Sequence, residues 1–216
     1  MAKGVRKSGG RRGGSLSTFS EGTLNIQFRE SRDLQTFRDY SPSKTRMGLA
    51  TDPLRMASAS VLAELILQHA ESEGNEVLFS ALGRGLDAME LEAQKGLIPA
   101  LLVHLWFLIR LLGFAPHIAE CVTCGRPLEG DEMGRFDFAA GGLRCPACQG
   151  DIPGPRLGPG ARAQLLAMQE GRVPDELTRP KAHLRLASDF ITYHISGGTP
   201  LRSVAVLGAL TDKTDA

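Results

Sequence analysis

The chain has 216 residues, enough for one or two domains with a real core, and an ordinary composition: 42% apolar, 23% charged, formal net charge +1. Its longest apolar stretch, residues 97–114, contains His104 and Arg110, with Pro99 near its start. A membrane helix needs about 20 predominantly apolar residues with few or no charges, so this stretch reads as a buried core helix. Met1 opens onto Lys, Gly and Arg rather than an apolar leader, which leaves a cytoplasmic protein as the expectation.

The near-neutral total hides an asymmetry. Through Arg46 there are ten Lys/Arg against four Asp/Glu, while the remainder has fifteen against twenty. A basic head and a mildly acidic body point to an anionic partner for the head, with nucleic acid the leading candidate. The head opens with Lys3, Arg6, Lys7, Arg11 and Arg12 among glycines. Long cationic side chains there can neutralise phosphates, and glycine lets backbone approach closely. The plainer reading of the same composition is a solvated, disordered terminus. Alternation then sets in: Leu24, Ile26 and Phe28, interleaved with Asn25, Gln27 and Arg29, predict a half-buried strand. Residues 30–33 read as a turn, 34–40 as its hairpin partner and 14–19 as a third strand. Such a small β element is marginal alone and must pack on something.

Helical signals follow. Thr51 or Asp52 can cap a helix that begins at Pro53 and carries Leu54, Ala57, Val61, Leu65 and Ile66, ending near residues 72–74. Asn75 caps a second helix with Val77, Leu78, Ala81, Leu82, Leu86 and Met89. Gly96 punctuates, and a third helix covers about residues 97–112 with Gly113 as its stop. Apolar on nearly every side, it should be the central helix of a bundle. Beyond the cysteine segment, a Gly/Pro-rich linker at 150–160 leads into helices at about 161–171, 180–195 and 200–210, then a polar tail.

The only cysteines are two matched pairs, Cys121-x-x-Cys124 and Cys145-x-x-Cys148. A two-residue spacer turns both thiolates of a pair inward on one knuckle, and two facing knuckles complete a tetrahedral cage that suits zinc. Phe136, Phe138 and Leu143, around a turn at residues 139–142, read as a short hairpin carrying both knuckles. Two disulfides would need an oxidising compartment. An iron–sulfur cluster usually carries different spacing, and a thioredoxin-like site needs one pair only. Catalytic zinc keeps an open position, which four thiolates do not leave. The site therefore reads as a fold staple.

Other candidates are weighed against plainer roles. His117, four residues before Cys121, is a conceivable extra ligand, yet four cysteines already complete the cage. His69, His104, His183 and His194 pair with no obvious carboxylate and nucleophile, and His104 reads as a core residue. Asp131, Glu132 and Asp137 read as solvent-facing charges on the hairpin, and Asp52 as a helix cap. Phe19, Phe28, Phe37 and Tyr40 could stack on exposed bases or form core. No catalytic set emerges, so a non-enzymatic protein is expected.

The run Leu111-Leu112-Gly113-Phe114-Ala115-Pro116, then Cys121-x-x-Cys124-Gly125-Arg126, Phe136-x-Phe138-x-x-Gly141-Gly142 and Cys145-Pro146-Ala147-Cys148, resembles the bacterial DNA repair protein RecO family. Lys3-Gly4-Val5-Arg6-Lys7-Ser8 and Gly13-Gly14-Ser15-Leu16-Ser17-Thr18-Phe19 are similar to the segment entering that family's middle OB-fold strands. The likeness covers essentially the whole chain. It implies an α+β fold: a truncated OB-fold-like β domain at 1–46 that binds DNA, then a mainly α-helical domain at 47–216 with a four-cysteine zinc hairpin inserted at 119–150. It assigns Cys121, Cys124, Cys145 and Cys148 to one structural Zn2+, and Lys3, Arg6, Lys7, Arg11 and Arg12 to DNA. It further implies a recombination mediator that binds single- and double-stranded DNA, anneals complementary strands and acts with RecR. Such a mediator loads RecA onto DNA coated by single-strand-binding protein (SSB), touches the SSB acidic tail, and works in the cytoplasm at the nucleoid. The family's OB-fold opens with two strands that would precede Met1, and a five-stranded barrel does not close from the three strands counted here. A reduced barrel or an upstream start is the expectation, with an exposed edge. The rival from another class is a zinc-stabilised protein-interaction module without DNA binding. A zinc hydrolase is disfavoured by the closed cage and the lack of a general base.

Overall fold

A computed structural model describes residues 16–31, 35–69 and 74–214. The chain divides into two compact units, Met1–Gly48 and Leu49–Ala216.

In the first unit, β1 (Glu21–Gln27) and β2 (Thr36–Lys44) form an antiparallel ribbon in which Leu24 faces Tyr40 and Ile26 faces Phe37. The register slips between Glu21 and Gly22, where a Cβ on Gly22 would lie 2.3 Å from the Ser41 carbonyl oxygen. Only glycine fits that close approach. At the turn, the Gln35 side-chain amide takes both backbone groups of Arg29, accepting from its N–H at 2.7 Å and donating to its carbonyl at 3.1 Å. At the other end, Arg46 donates to Glu21 at 2.7 Å and to the Phe19 carbonyl at 3.0 Å, and Tyr40 donates to Ser20 at 3.0 Å.

Three expectations change here. Alternation in β1 predicts one covered face, yet Leu24, Ile26 and Phe28 are 52%, 47% and 67% exposed. Alternation reports only which residues share a face, and a two-stranded ribbon has no second layer of its own to cover them. The third strand does not form across residues 16–20: the Ser20 N–H and hydroxyl both bond the Ser17 carbonyl, and Phe19 turns the chain at φ 63°. Gly14, Ser15 and Leu34 lie outside the described residues. Finally, β2 runs four residues past Tyr40, because β1 supplies partners as far as Lys44.

The second unit is helical. α1 (Pro53–Leu67) starts as expected: the Asp52 carboxylate accepts from Leu54 N–H at 2.8 Å and Arg55 N–H at 3.1 Å, with proline in the first turn. Asn75 caps α2 (Glu76–Leu91) through the Leu78 N–H at 2.9 Å. α3 (Gln94–Leu111) has the length and composition to cross a bilayer, but Leu97, Leu101, Leu102, Leu105, Trp106 and Leu108 are fully buried. It packs against α1, α2, α4 (Pro159–Gln169) and α5 (Pro180–His194), which makes it the central helix. It begins three residues before the expected start, so Gly96 lies in its first turn and not ahead of it. A Cβ on Gly96 would meet the Glu92 carboxylate at 2.4 Å. Gly113 ends it at φ +86°.

α6 (Arg202–Thr214) packs on α1 and continues into the expected polar tail as far as Thr214. Its first turn is capped from 138 residues away: Glu64 of α1 accepts from the Arg202 N–H at 3.0 Å, the Ser203 N–H at 2.9 Å and the Ser203 hydroxyl at 2.5 Å. Between α3 and α4 lies a three-stranded sheet, β3 (Gly134–Asp137), β4 (Gly142–Arg144) and β5 (Arg156–Leu157), in the order β4-β3-β5. β5 falls inside the expected linker. It carries no periodic signal at two residues, and β3 alone makes it a strand.

Candidate metal centre

The first knuckle is a tight reversal flanked by a bridge between Glu120 and Pro127. Cys121 N–H donates to the Arg126 carbonyl at 2.8 Å, and Gly125 N–H returns to the Cys121 carbonyl at 2.8 Å. Gly125 closes the turn at φ +73°, a left-handed position that suits glycine. The second knuckle leaves β4 at Cys145, where Cys148 N–H bonds the Cys145 carbonyl at 2.9 Å. β4 holds the two knuckles together: Val122 N–H donates to the Leu143 carbonyl at 2.9 Å, and Cys145 N–H to Cys121 Sγ at 3.3 Å.

The consequence is a four-sulfur cluster. All four Sγ atoms lie within 4.8 Å of one another, and Cys124 and Cys145 are 4.0 Å apart. A tetrahedron with zinc–sulfur bonds of 2.3 Å has edges of about 3.8 Å, whereas a disulfide needs about 2.05 Å. The donors therefore suit a metal held by four soft ligands. Cys121 and Cys145 are sealed, while Cys124 is exposed, so the cluster has one inner and one outer wall.

Electrostatics prepares the inner sulfurs. Burial pushes the Cys121 thiol up, but the N–H groups of Cys145, Cys124 and Thr123 outweigh it and bring it down to about 6. Cys145 is likewise lowered, its burial outweighed chiefly by the Cys148 N–H. Cys148 is pushed up to about 12, first by its contact with Cys145 and then by Cys124. Four sulfurs this close repel as thiolates, and a divalent cation among them supplies the counter-charge.

Arginines brace the cluster. Arg126 grips Glu132 with two bonds, 2.9 and 2.6 Å, and Glu132 also accepts the Glu129 N–H at 2.9 Å. Glu132 first, and then Cys145, hold the Arg126 guanidinium above its ordinary value. At the hairpin turn, Asp137 accepts from Ala140 N–H at 3.1 Å and from Arg144 at 2.7 and 2.5 Å. Two expected solvent-facing charges are therefore structural: Asp137 is buried at 5% exposure and Glu132 is half-buried. Pattern reading missed them because the partners are set by the folded hairpin. Asp131 is exposed as expected.

The hairpin is tied to α5 by aromatic residues. Phe136 lies 4.9 Å from Phe138 and 6.0 Å from Phe190, and the His194 Nε2 bonds the Phe138 carbonyl at 2.6 Å. His117 stands at the surface and joins the sheet through its backbone, to Gly141 and Leu143. His69 bonds the Ile195 carbonyl at 3.1 Å, and burial, then Arg84, holds His104 below its ordinary value. Among the aromatics of the first unit, Tyr40 is buried, Phe19 and Phe37 are half-buried, and Phe28 is exposed. The expected DNA contacts Lys3, Arg6, Lys7, Arg11 and Arg12 lie outside the described residues.

The sequence profile of the family described as Recombination protein O C terminal matches residues 50–202, which span α1 to the start of α6 and include all four cysteines. The chain belongs to the RecO family. Among relatives named DNA repair protein RecO, that of Desulfatibacillum aliphaticivorans is 34% identical over 179 residues, covering 79% of this chain and 68% of its own. That of Anaeromyxobacter sp. (strain K) is 31% identical over 184 residues, 84% of this chain and 71% of its own. The Rubrobacter xylanophilus protein is 31% identical over 163 residues, 71% and 60% respectively. The profile match falls within the helical unit and the cysteine hairpin it encloses.

Proposed function

We propose that this RecO-family chain is a DNA repair and recombination mediator with no enzymatic activity of its own. It binds single- and double-stranded DNA, anneals complementary strands, and helps load RecA together with RecR on single-stranded DNA coated by SSB, whose tail it contacts. Its place of action is the cytoplasm, at the nucleoid. The observation that carries this reading is the match of residues 50–202 to the family, with the surplus of cations confined to the chain's first 46 residues. In this mechanism Lys3, Arg6, Lys7, Arg11 and Arg12 hold phosphates of two strands at once. Their charge offsets strand repulsion, so complementary bases can pair. The β ribbon stands for part of an OB-like domain carrying that segment. Cys121, Cys124, Cys145 and Cys148 hold one Zn2+, which supplies a closed structural cross-link and no reactive position.

Strand annealing read by fluorescence, at several salt concentrations, tests the proposal. Phosphate contacts predict that DNA affinity falls about ten-fold or more between roughly 50 and 200 mM salt. Charge reversal at Arg6, Lys7, Arg11 and Arg12 should abolish annealing while metal content stays the same. Affinity that ignores salt, or annealing that survives the reversal, sinks the reading in favour of a metal-stabilised protein-interaction module.

A further inference from the structure

The four cysteines of the metal centre are not equivalent toward solvent. Cys121 and Cys145 are 2% and 0% exposed, whereas Cys124 is exposed and Cys148 half-buried. The residues around the outer two are themselves exposed: Thr123 and Gly125 flank Cys124, and Pro146 and Ala147 precede Cys148. A Cβ on Gly125 or on Gly150 would meet no atom within 4 Å beyond its own chain neighbours, so open space adjoins both knuckles.

The inner wall is anchored instead. Cys145 follows directly on β4, whose Leu143 is fully buried, and its N–H donates to Cys121 Sγ at 3.3 Å. That bond draws charge from the Cys121 sulfur. A coordinated thiol is deprotonated outright, so in the metal-bound chain all four sulfurs are thiolates and protonation does not rank them. Access does. The metal keeps no open position, but its most exposed ligand is a nucleophilic sulfur.

We propose that Cys124 and Cys148 form an oxidative-modification site: a peroxide oxidises Cys124, Cys148 resolves it as a disulfide, and the metal is released. The site rests on the reading of the four cysteines as holders of one Zn2+. In the first step the Cys124 thiolate attacks a peroxide oxygen. An S–O bond forms, the O–O bond breaks and hydroxide leaves, which gives a sulfenic acid. In the second, the Cys148 thiolate attacks the Cys124 sulfur, an S–S bond forms, and the S–O bond breaks with loss of a second hydroxide. Two sulfurs have then given two electrons to one hydrogen peroxide, and two solvent protons turn the hydroxides into water.

The sulfurs lie within 4.8 Å of one another, against about 2.05 Å in a disulfide, so the pair closes by a local movement. Cys145 is 4.0 Å from Cys124, but it is sealed and held at the end of β4, whereas Cys148 sits beyond the strand in a turn. Once Cys124 and Cys148 are joined, Cys121 and Cys145 remain as two ligands where zinc takes four, and the metal leaves. The new bond still ties one knuckle to the other. Contacts of the hairpin with α5, Phe136 to Phe190 and His194 to the Phe138 carbonyl, do not pass through the metal. Oxidation therefore loosens the inner wall without releasing the hairpin, and a dithiol with Zn2+ restores the site.

The test treats the zinc-loaded full-length protein with graded hydrogen peroxide. Released metal is read with a chromogenic chelator, and remaining thiols are alkylated and mapped by mass spectrometry. Cys124 and Cys148 should be lost first and together, as one cross-linked pair, at the rate of metal release, and dithiothreitol with Zn2+ should reverse both. Cys124→His keeps a zinc ligand but removes the reacting sulfur, so metal release should slow about ten-fold or more. Mapping of the unsubstituted protein decides the question even where that variant holds no metal. Cys121 or Cys145 reacting before Cys124, a disulfide that joins any other pair, or metal retained after Cys124 is oxidised overturns the site while the zinc reading stands. A chain that binds no zinc before oxidant is added overturns both.

Discussion

Two small sheets in this chain reach opposite outcomes. β1 and β2 are seven and nine residues long, yet Leu24 and Ile26 remain about half exposed. β3, β4 and β5 have four, three and two residues, yet Phe136 and Leu143 are fully buried. Strand length does not explain the difference. The shorter sheet has four sulfurs on one side, two arginine–carboxylate clamps at its turns, and α5 against its face. The ribbon is fastened at its ends by Arg46 and Gln35 and leaves its middle uncovered. Cross-links and a second layer, not hydrogen-bonded rungs, turn a small sheet into a core.

Metal removal should separate the two sheets most sharply, because structural zinc sites are worth about 10–16 kcal/mol in apparent binding. A strong chelator should strip about one metal per chain and open residues 119–150 to amide exchange, with the β1–β2 amides unchanged by mass spectrometry. Equal loss of protection in both sheets would erase the contrast. Next in size, Phe136→Ala should cost about 3–5 kcal/mol, the usual range for emptying a buried aromatic site. Ile26→Ala in the ribbon should stay within about 0.5 kcal/mol. Urea denaturation of both variants measures the difference directly.

The hairpin clamp sharpens the contrast further. Burial raises the Asp137 carboxyl, but the Ala140 N–H and Arg144 outweigh it, and the net direction is below the ordinary 3.8. A depressed carboxylate stabilises the fold fully above its unfolded value, and that stability is lost as pH falls through the folded value. Asp137→Asn should cost about 2 kcal/mol at neutral pH and flatten the acid limb of the stability curve. A smaller loss than at Asp137 is expected for Glu64→Gln, about 1 kcal/mol, since one cap on α6 weakens while its packing on α1 remains. A chemical-denaturation midpoint that moves as far as that of Phe136→Ala would show that Glu64 holds more than a cap.

Much of this could be read from residues close together in the chain. Asp52-Pro53 and Asn75 mark helix starts because a cap bonds amides two or three positions ahead. The two C-x-x-C pairs declare a four-sulfur cluster because each knuckle is closed by its own backbone. What escaped sequence reading depends on the folded partners: Glu64 capping α6, β5 recruited by β3, and Asp137 and Glu132 claimed by arginines. The amino acid order by itself determined the helix boundaries at their capped ends, the central apolar helix and the pairing of the cysteines, all governed by interactions within a few residues. Only the tertiary structure decided which apolar face found a cover and which buried charge found a partner, because burial and long-range hydrogen bonds depend on what the rest of the fold brings alongside.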